Sequence, residues 1–199
     1  MLVLEKHVDH TVNELVNHLR SAGKTVDLKQ WSEWFAFDAL SRIAFSEDQS
    51  FMKKQEDAGG SAAASKARFK HWSLYWAVPW LDAILYKNWF ARRSKRPQSG
   101  LTRIAIESIE RRRDQEESGT KSDDLMGPYM SSAKLDPELF TPSTTIGLTV
   151  STISAGSETT AYTTASTLYC LLANPRVLAT LRAELESVSA TTESGWSPP

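Results

Sequence analysis

TPSTTIGLTVSTISAGSETTAYTTASTLYCLLAN, residues 141–174, carries a single charged residue, Glu158, near its middle. If helical, the stretch is roughly 50 Å long at about 1.5 Å per residue, enough to cross a whole domain. Thr141 can cap the N-terminus, and Pro142 then takes the first helical position, where a missing N–H costs nothing. Asn174-Pro175 ends it, because a residue before proline is pushed out of the helical region. Three structures suit such a composition. A membrane span fits the length and the scarcity of charge, but the Ser/Thr content and the central acid oppose it. A strand fits the Thr, Val and Ile content, but strands do not run this long. A helix apolar all round and buried in protein satisfies every feature, and that is the expectation.

The middle of this helix reads Ala155-Gly156-Ser157-Glu158-Thr159-Thr160. Ala155 and Thr159 are four apart and share a face. Gly156 removes bulk where something flat could approach the backbone. The Thr159 hydroxyl can bond back to the Ala155 carbonyl and open the helix locally. A buried carboxyl beside a hydroxyl makes a proton relay, since desolvation lifts an acid towards the working range. The same residues also suit a core Ser/Thr cluster with its one acid paired elsewhere, and the residue types alone leave both readings open.

Ala155-Gly156-x-Glu158-Thr159-Thr160 resembles, residue for residue, the central-helix motif of the cytochrome P450 monooxygenases. Asn174-Pro175 followed by an amphipathic helix is similar to what comes next in that family. The resemblance implies an all-α fold: a partial P450 helical domain over residues 1–188, built around one long central helix, with the family's β-sheet portion absent and a disordered tail over 189–199. It implies that Glu158 and Thr159 are catalytic and supply protons for oxygen activation. Ala155, Gly156 and Thr160 would lie against haem b. Trp76, Trp80, Ser151 and Ala155 would shape an apolar substrate pocket.

Composition sets the outer bounds. The chain has 199 residues, enough for one domain with a real core. A net charge of −1 gives no electrostatic bias towards nucleic acid. The lone cysteine, Cys170, excludes an internal disulfide and fits a reducing compartment. No secretory signal or anchor is visible in MLVLEKHVDH, which mixes charge with apolar residues. The resemblance implies the cytosolic face of the endoplasmic reticulum membrane; the missing anchor leaves a cytoplasmic location as the alternative.

Working outward, Leu4, Val8, Val12, Leu15, Val16 and Leu19 recur at helical spacing, with Gly23 as a stop. His7 and His10 share a helix face, but no third ligand accompanies them, so no metal site is expected. Asp27 caps a nearly apolar second helix through Trp31, Trp34, Phe37, Leu40 and Phe45. Phe35-Ala36-Phe37-Asp38-Ala39-Leu40 resembles the early core helix of fungal family members. Residues 46–65 are polar, contain Gly59-Gly60, and read as a loop or break. An aromatic segment follows, interrupted at Val78-Pro79-Trp80, and then a basic run over residues 92–97. Basic residues beside aromatics suit a solvated face, nucleic acid, a targeting signal or a membrane surface. Val78-Pro79-Trp80-Leu81-Asp82 and Tyr86-Lys87-Asn88 resemble the substrate roof of fungal members similar to pisatin demethylase, which faces the bilayer; this favours a membrane surface, with Trp at the interface.

Leu101, Ile104, Ala105, Ser108 and Ile109 make another amphipathic helix that runs into the charged residues 110–117. Glu110 and Arg113 imitate the family's Glu-x-x-Arg pair but precede the central helix, whereas the family's pair follows it, so that match is rejected. Residues 118–137 read as a mobile connection. Val177, Leu178, Leu181, Leu185 and Val188 form a last amphipathic helix.

The resemblance covers the middle of the family's chain. The cysteine whose thiolate binds the haem iron has no counterpart: Cys170 lies some 16 Å beyond Thr159 on the same helix, and thiolate ligation drives O–O cleavage in this chemistry. The expectation is therefore a piece of a haem-thiolate monooxygenase that hydroxylates or demethylates a small apolar organic molecule, with electrons from an NADPH-dependent reductase. Alone, the chain is expected to be inactive. The alternative is a non-catalytic helical fragment or interaction module that packs on a partner chain or membrane.

Overall fold

The computed structural model describes residues 2–23, 25–89, 99–119 and 124–191. Among them are nine α-helices, one short 3-10 turn over Ala58–Gly60, and no strand, as the all-α expectation requires. The helices are α1 (Leu2–Ser21), α2 (Leu28–Phe45), α3 (Phe51–Lys54), α4 (Ser61–Tyr75), α5 (Pro79–Tyr86), α6 (Gly100–Glu117), α7 (Met126–Leu135), α8 (Pro142–Ala173) and α9 (Pro175–Thr191). The basic run at 92–97 and the tail over 192–199 lie outside the described residues, while α9 continues past the boundary expected at 188.

Helix α8 is the long rod the sequence predicts, 32 residues without a break. The Thr141 hydroxyl accepts from the Thr144 backbone N–H at 3.2 Å, and Pro142 occupies the first turn. Its buried hydroxyls carry little cost because three donate to a carbonyl one turn back and the fourth, Ser154, pairs with Ser65 of α4. Thr145 reaches the Thr141 carbonyl at 3.2 Å, Thr149 the Thr145 carbonyl at 2.9 Å, and Ser157 the Ile153 carbonyl at 2.6 Å. One face is thus both small and internally satisfied, and α8 lays it against α2 in the most extensive helix contact of the fold.

The rod is buried on one side only, which corrects the expectation of a helix enclosed all round. Thr145, Thr149, Val150, Ile153, Ser154, Ser157 and Ala161 are buried. Tyr162 is 76% and Tyr169 71% exposed. Burial follows what packs on the helix: among the described residues its main neighbours are α2, α4, α6, α7 and α9.

Helix α2 begins at the Asp27 cap, whose carboxylate accepts from the Gln30 N–H at 3.0 Å. Phe37, Ala44 and Phe45 join Phe51, Ala62, Leu101, Ile104, Ala105, Met126, Met130, Val150 and Ile153 in one core. The Asp38 carboxylate, 1% exposed, accepts from the N–H groups of Phe51 and Met52 at 2.9 Å each. That anchors α3, and Phe51 stacks on Phe37 with ring centroids 4.9 Å apart. The polar stretch at 46–65 is therefore not a plain loop: it delivers two core side chains, Phe51 and Met52, to a buried acid.

The expected mobile connection at 118–137 is corrected from Asp124 onward, while residues 120–123 lie outside the described residues. Buried Asp124 pairs with buried Arg112 of α6, accepts from the Ser46 hydroxyl at 2.8 Å, and accepts from the N–H groups of Met126 and Gly127 at 3.1 and 3.2 Å. This carboxylate ties three parts of the chain together, starts α7, and lets Met126 and Met130 enter the core. Glu110 and Arg113 are exposed on the same helix, in keeping with their rejection as a structural pair. Helix α1 is held to α2 by buried Arg42, whose guanidinium donates to Glu14 at 2.5 Å and to Thr11 at 3.0 Å.

Truncating Asp38 leaves two buried N–H donors without an acceptor, so Asp38→Ala is expected to lower stability by about 2 kcal/mol or more. Urea unfolding of the two chains checks this, with Asp38→Asn, which keeps an acceptor oxygen, losing less.

Candidate functional site

The centre of α8 separates two environments. Ser151, Ala155 and Thr159 follow one another at four-residue spacing and are all exposed, as is Thr160. The Thr159 hydroxyl donates to the Ala155 carbonyl at 2.7 Å, the expected bond. The helix nevertheless stays α-helical through that turn, without the expected opening. This face carries only small side chains at its middle and is open.

Gly156 belongs to the other side. A Cβ there would stand 3.0 Å from both terminal methyl groups of Leu40 on α2. The glycine thus lets α8 sit close on α2, and the space its missing side chain leaves is taken by Leu40 rather than lying on the open face.

Glu158 projects into a cleft of about 450 Å³ lined also by Lys29 and Glu33 of α2, Lys66 of α4, and Tyr162 and Tyr169 of α8. One Glu158 carboxylate oxygen is buried without a hydrogen-bond partner. Its pKa is raised above the ordinary glutamate value, first by burial and then by the Glu33 carboxylate, against the opposing pull of Lys66, the Ser65 hydroxyl and Lys29. Glu33 is itself buried and holds the Lys66 ammonium at 2.5 and 2.7 Å from its two oxygens. Beside this pair, the Ser65 and Ser154 hydroxyls meet at 3.0 Å and bind α4 to α8.

Glu158 and Thr159 are therefore adjacent in sequence but face different surroundings, and the Thr159 proton is donated to Ala155. Burial and the neighbouring Glu33 carboxylate favour the acid's protonated form, and the hydroxyl is presented on the open face.

Trp76 and Trp80 lie on the α4–α5 hairpin, 79% and 63% exposed. Neither they nor Ser151 and Ala155 line the Glu158 cleft. The hairpin is closed by His71 and Asp82 at 2.8 Å, Lys87 and Asp82 at 2.5 Å, and the Tyr75 and Tyr86 hydroxyls at 3.2 Å, which leaves Trp72, Trp76, Trp80 and Trp89 outward. Cys170 is exposed near the end of α8, on the rim of the cleft.

Lys29, Glu33 and Lys66 were not singled out by motif. The signal that marks Glu33 is an acid set between Trp31 and Trp34 in an aromatic-rich stretch.

The family model for cytochrome P450 matches residues 2–195. The chain belongs to the cytochrome P450 family. It is 32% identical to the cytochrome P450 monooxygenase pkfB of Emericella nidulans, over 97% of this chain and 39% of that protein. It is 29% identical to the cytochrome P450 monooxygenase asR2 of Sarocladium schorii, over 98% and 40%. A cytochrome P450 monooxygenase of Aspergillus terreus is 30% identical, over 96% and 41%. The chain thus spans about two fifths of the length of the curated relatives it matches. No solved structure matches.

Haem is the cofactor that membership in this family implies. The open face of α8 fits a flat macrocycle, because Ser151, Ala155 and Thr159 present short side chains there and are exposed. The sole cysteine, Cys170, stands about 16 Å from Thr159 along the helix.

Two expectations separate the packed side of α8 from the open one. Gly156→Val should lower stability by about 1–3 kcal/mol through overpacking against Leu40, whereas Ser151→Val should change it by less than about 0.5 kcal/mol; urea unfolding measures both. The second concerns pH. A carboxyl whose folded pKa is raised favours the fold while protonated, and that contribution is lost as pH rises through the folded value. Glu158→Gln should therefore raise the melting temperature at about pH 7, and the difference should close as pH falls towards about 4. Paired thermal scans across that range read it.

Proposed function

We propose that this chain is the oxygen-side helical part of a haem-thiolate monooxygenase that hydroxylates or demethylates a small apolar organic molecule, with electrons from an NADPH-dependent reductase. The observation that carries this reading is the division of labour on α8, with Thr159 on an open face of small residues and Glu158 half-buried behind it with its pKa raised. Bound haem would supply oxygen activation, with thiolate ligation favouring O–O cleavage. Ala155 and Thr160 would border the macrocycle, and the close seating at Gly156 would set its distance from α2. The Thr159 hydroxyl can leave the Ala155 carbonyl and orient a water, while Glu158 holds the proton that replenishes it.

The α4–α5 hairpin supports the finer parts of the proposal. Its outward tryptophans, with Ile84 and Leu85, form an apolar aromatic edge suited to a substrate roof and to the interface of the endoplasmic reticulum membrane on the cytosolic side. The turn Val78-Pro79-Trp80-Leu81-Asp82 supports kinship with fungal enzymes of the pisatin demethylase kind. Among the described residues no helix is long and apolar enough to cross a membrane, so the contact proposed is with the surface.

For the 199-residue chain alone we propose that catalysis is absent, since Cys170 is badly placed to serve as the thiolate. The exposed Tyr162, Tyr169, Leu172 and Val177 favour a second reading, a helical module that packs on a partner.

In a full-length protein carrying this segment, Thr159→Ala should reduce product formed per oxygen consumed by about tenfold or more, with oxygen uptake continuing. Unchanged coupling would remove the catalytic reading in favour of the packing module. The isolated chain mixed with haemin and reductant should give no thiolate-type Soret shift with carbon monoxide, and appearance of that shift would overturn its inactivity.

A further inference from the structure

The cleft beside Glu158 holds two carboxylates, and Lys66 has already been committed to one of them. Glu33 comes from α2 with its side chain only 5% exposed, while Lys66 is half-exposed and reaches in from α4. The Ser65–Ser154 hydrogen bond fixes α4 against α8 at the preceding residue, and so presents Lys66 at the mouth of the cleft. The charged and titratable groups facing Glu158 are Lys29 and Glu33 from α2, Lys66 from α4, and Tyr162, Tyr169 and Cys170 from its own helix.

We propose that Glu33 is a positioning residue for Glu158: by engaging the Lys66 ammonium through both of its oxygens it withholds a countercharge, so that Glu158 takes up a proton in place of an ion pair. The inference deepens the proposed function and rests on the reading that Glu158 supplies protons. The unpartnered, buried Glu158 oxygen is what such withholding leaves behind. A lysine on a flexible stem, anchored at solvent, is free to transfer to Glu158 once Glu33 no longer competes. Desolvation and the like charge of Glu33 both disfavour the ionised form of Glu158, and Lys66 opposes them from its place on Glu33.

The two partners should therefore act with opposite signs. In the 199-residue chain labelled with carbon-13 at the glutamate carboxyl, the Glu158 resonance is assigned by its loss in Glu158→Gln and followed through a pH titration. Glu33→Gln should lower the Glu158 midpoint by about one pH unit, because it removes a like charge and frees Lys66. Lys66→Met should raise it. Circular dichroism confirms that each variant keeps its helices. Midpoints unmoved in both variants, or raised by Glu33→Gln, overturn the proposal. If Glu33→Gln does not fold, Lys66→Met decides: a raised midpoint supports the proposal and an unmoved one overturns it. These midpoints are read without haem, so they stand or fall separately from oxygen coupling in Thr159→Ala.

Discussion

Everything in this fold depends on how closely α8 can sit on α2. A rod rich in Ser and Thr is a poor candidate for burial, since a buried hydroxyl without a partner costs on the order of 1–3 kcal/mol. The chain resolves this locally. Thr145, Thr149 and Ser157 give their protons to carbonyls one turn back, and Ser154 finds Ser65. With the polar demand met inside the helix, the small size of these residues becomes an advantage, and Gly156 allows Leu40 to approach within contact distance. The core then closes around the pair, with α6 and α7 packing on α8 and α3 drawn in by Asp38.

That seating also decides where the chemistry can lie. On an α-helix, adjacent residues are rotated by about 100°, so Glu158 and Thr159 cannot share a face. Because Gly156 is turned to Leu40 of α2 and Ser157 is buried, exposed Ala155 and Thr159 are turned away from the packed side. Glu158 falls at the boundary, partly sheltered by α2 and α4. A helix packed on one side thus converts sequence neighbours into an acid in a low-dielectric cleft and a hydroxyl on an open surface.

How far this was legible in the sequence varies with the kind of interaction. The rod, its Thr141 cap, its Pro175 end and the Thr159–Ala155 bond follow from local rules, because each depends on residues within one turn. The order of Phe51, Met52, Met126 and Met130 does not. Those side chains sit in stretches whose composition reads as loop, and they are placed by Asp38 and Asp124, two acids that reach distant backbone N–H groups. Periodicity carries no record of such long-range anchoring. The same limit applied at the site. The motif named Glu158, but the partners that set its proton affinity come from α2 and α4, and only the oddity of Glu33 between two tryptophans hinted at them.

The one-sidedness of α8 completes the argument. A helix evolved to stand alone on a surface would carry charge on its exposed side, as α9 does with Arg176, Arg182, Glu184 and Glu186. The exposed side of α8 instead carries Leu148, Ala155, Tyr162, Tyr169 and Leu172, with half-buried Glu158 beside the tyrosines as its one charged residue. So long a strip with a single charge is suited to contact with another surface. The small residues at the strip's centre and the aromatic ones towards its C-terminal end divide it further: the centre has room for a flat group beside Thr159, and the tyrosines offer packing area with polar tips. In the proposed reading, the small-residue centre of this face is where a bound haem would lie.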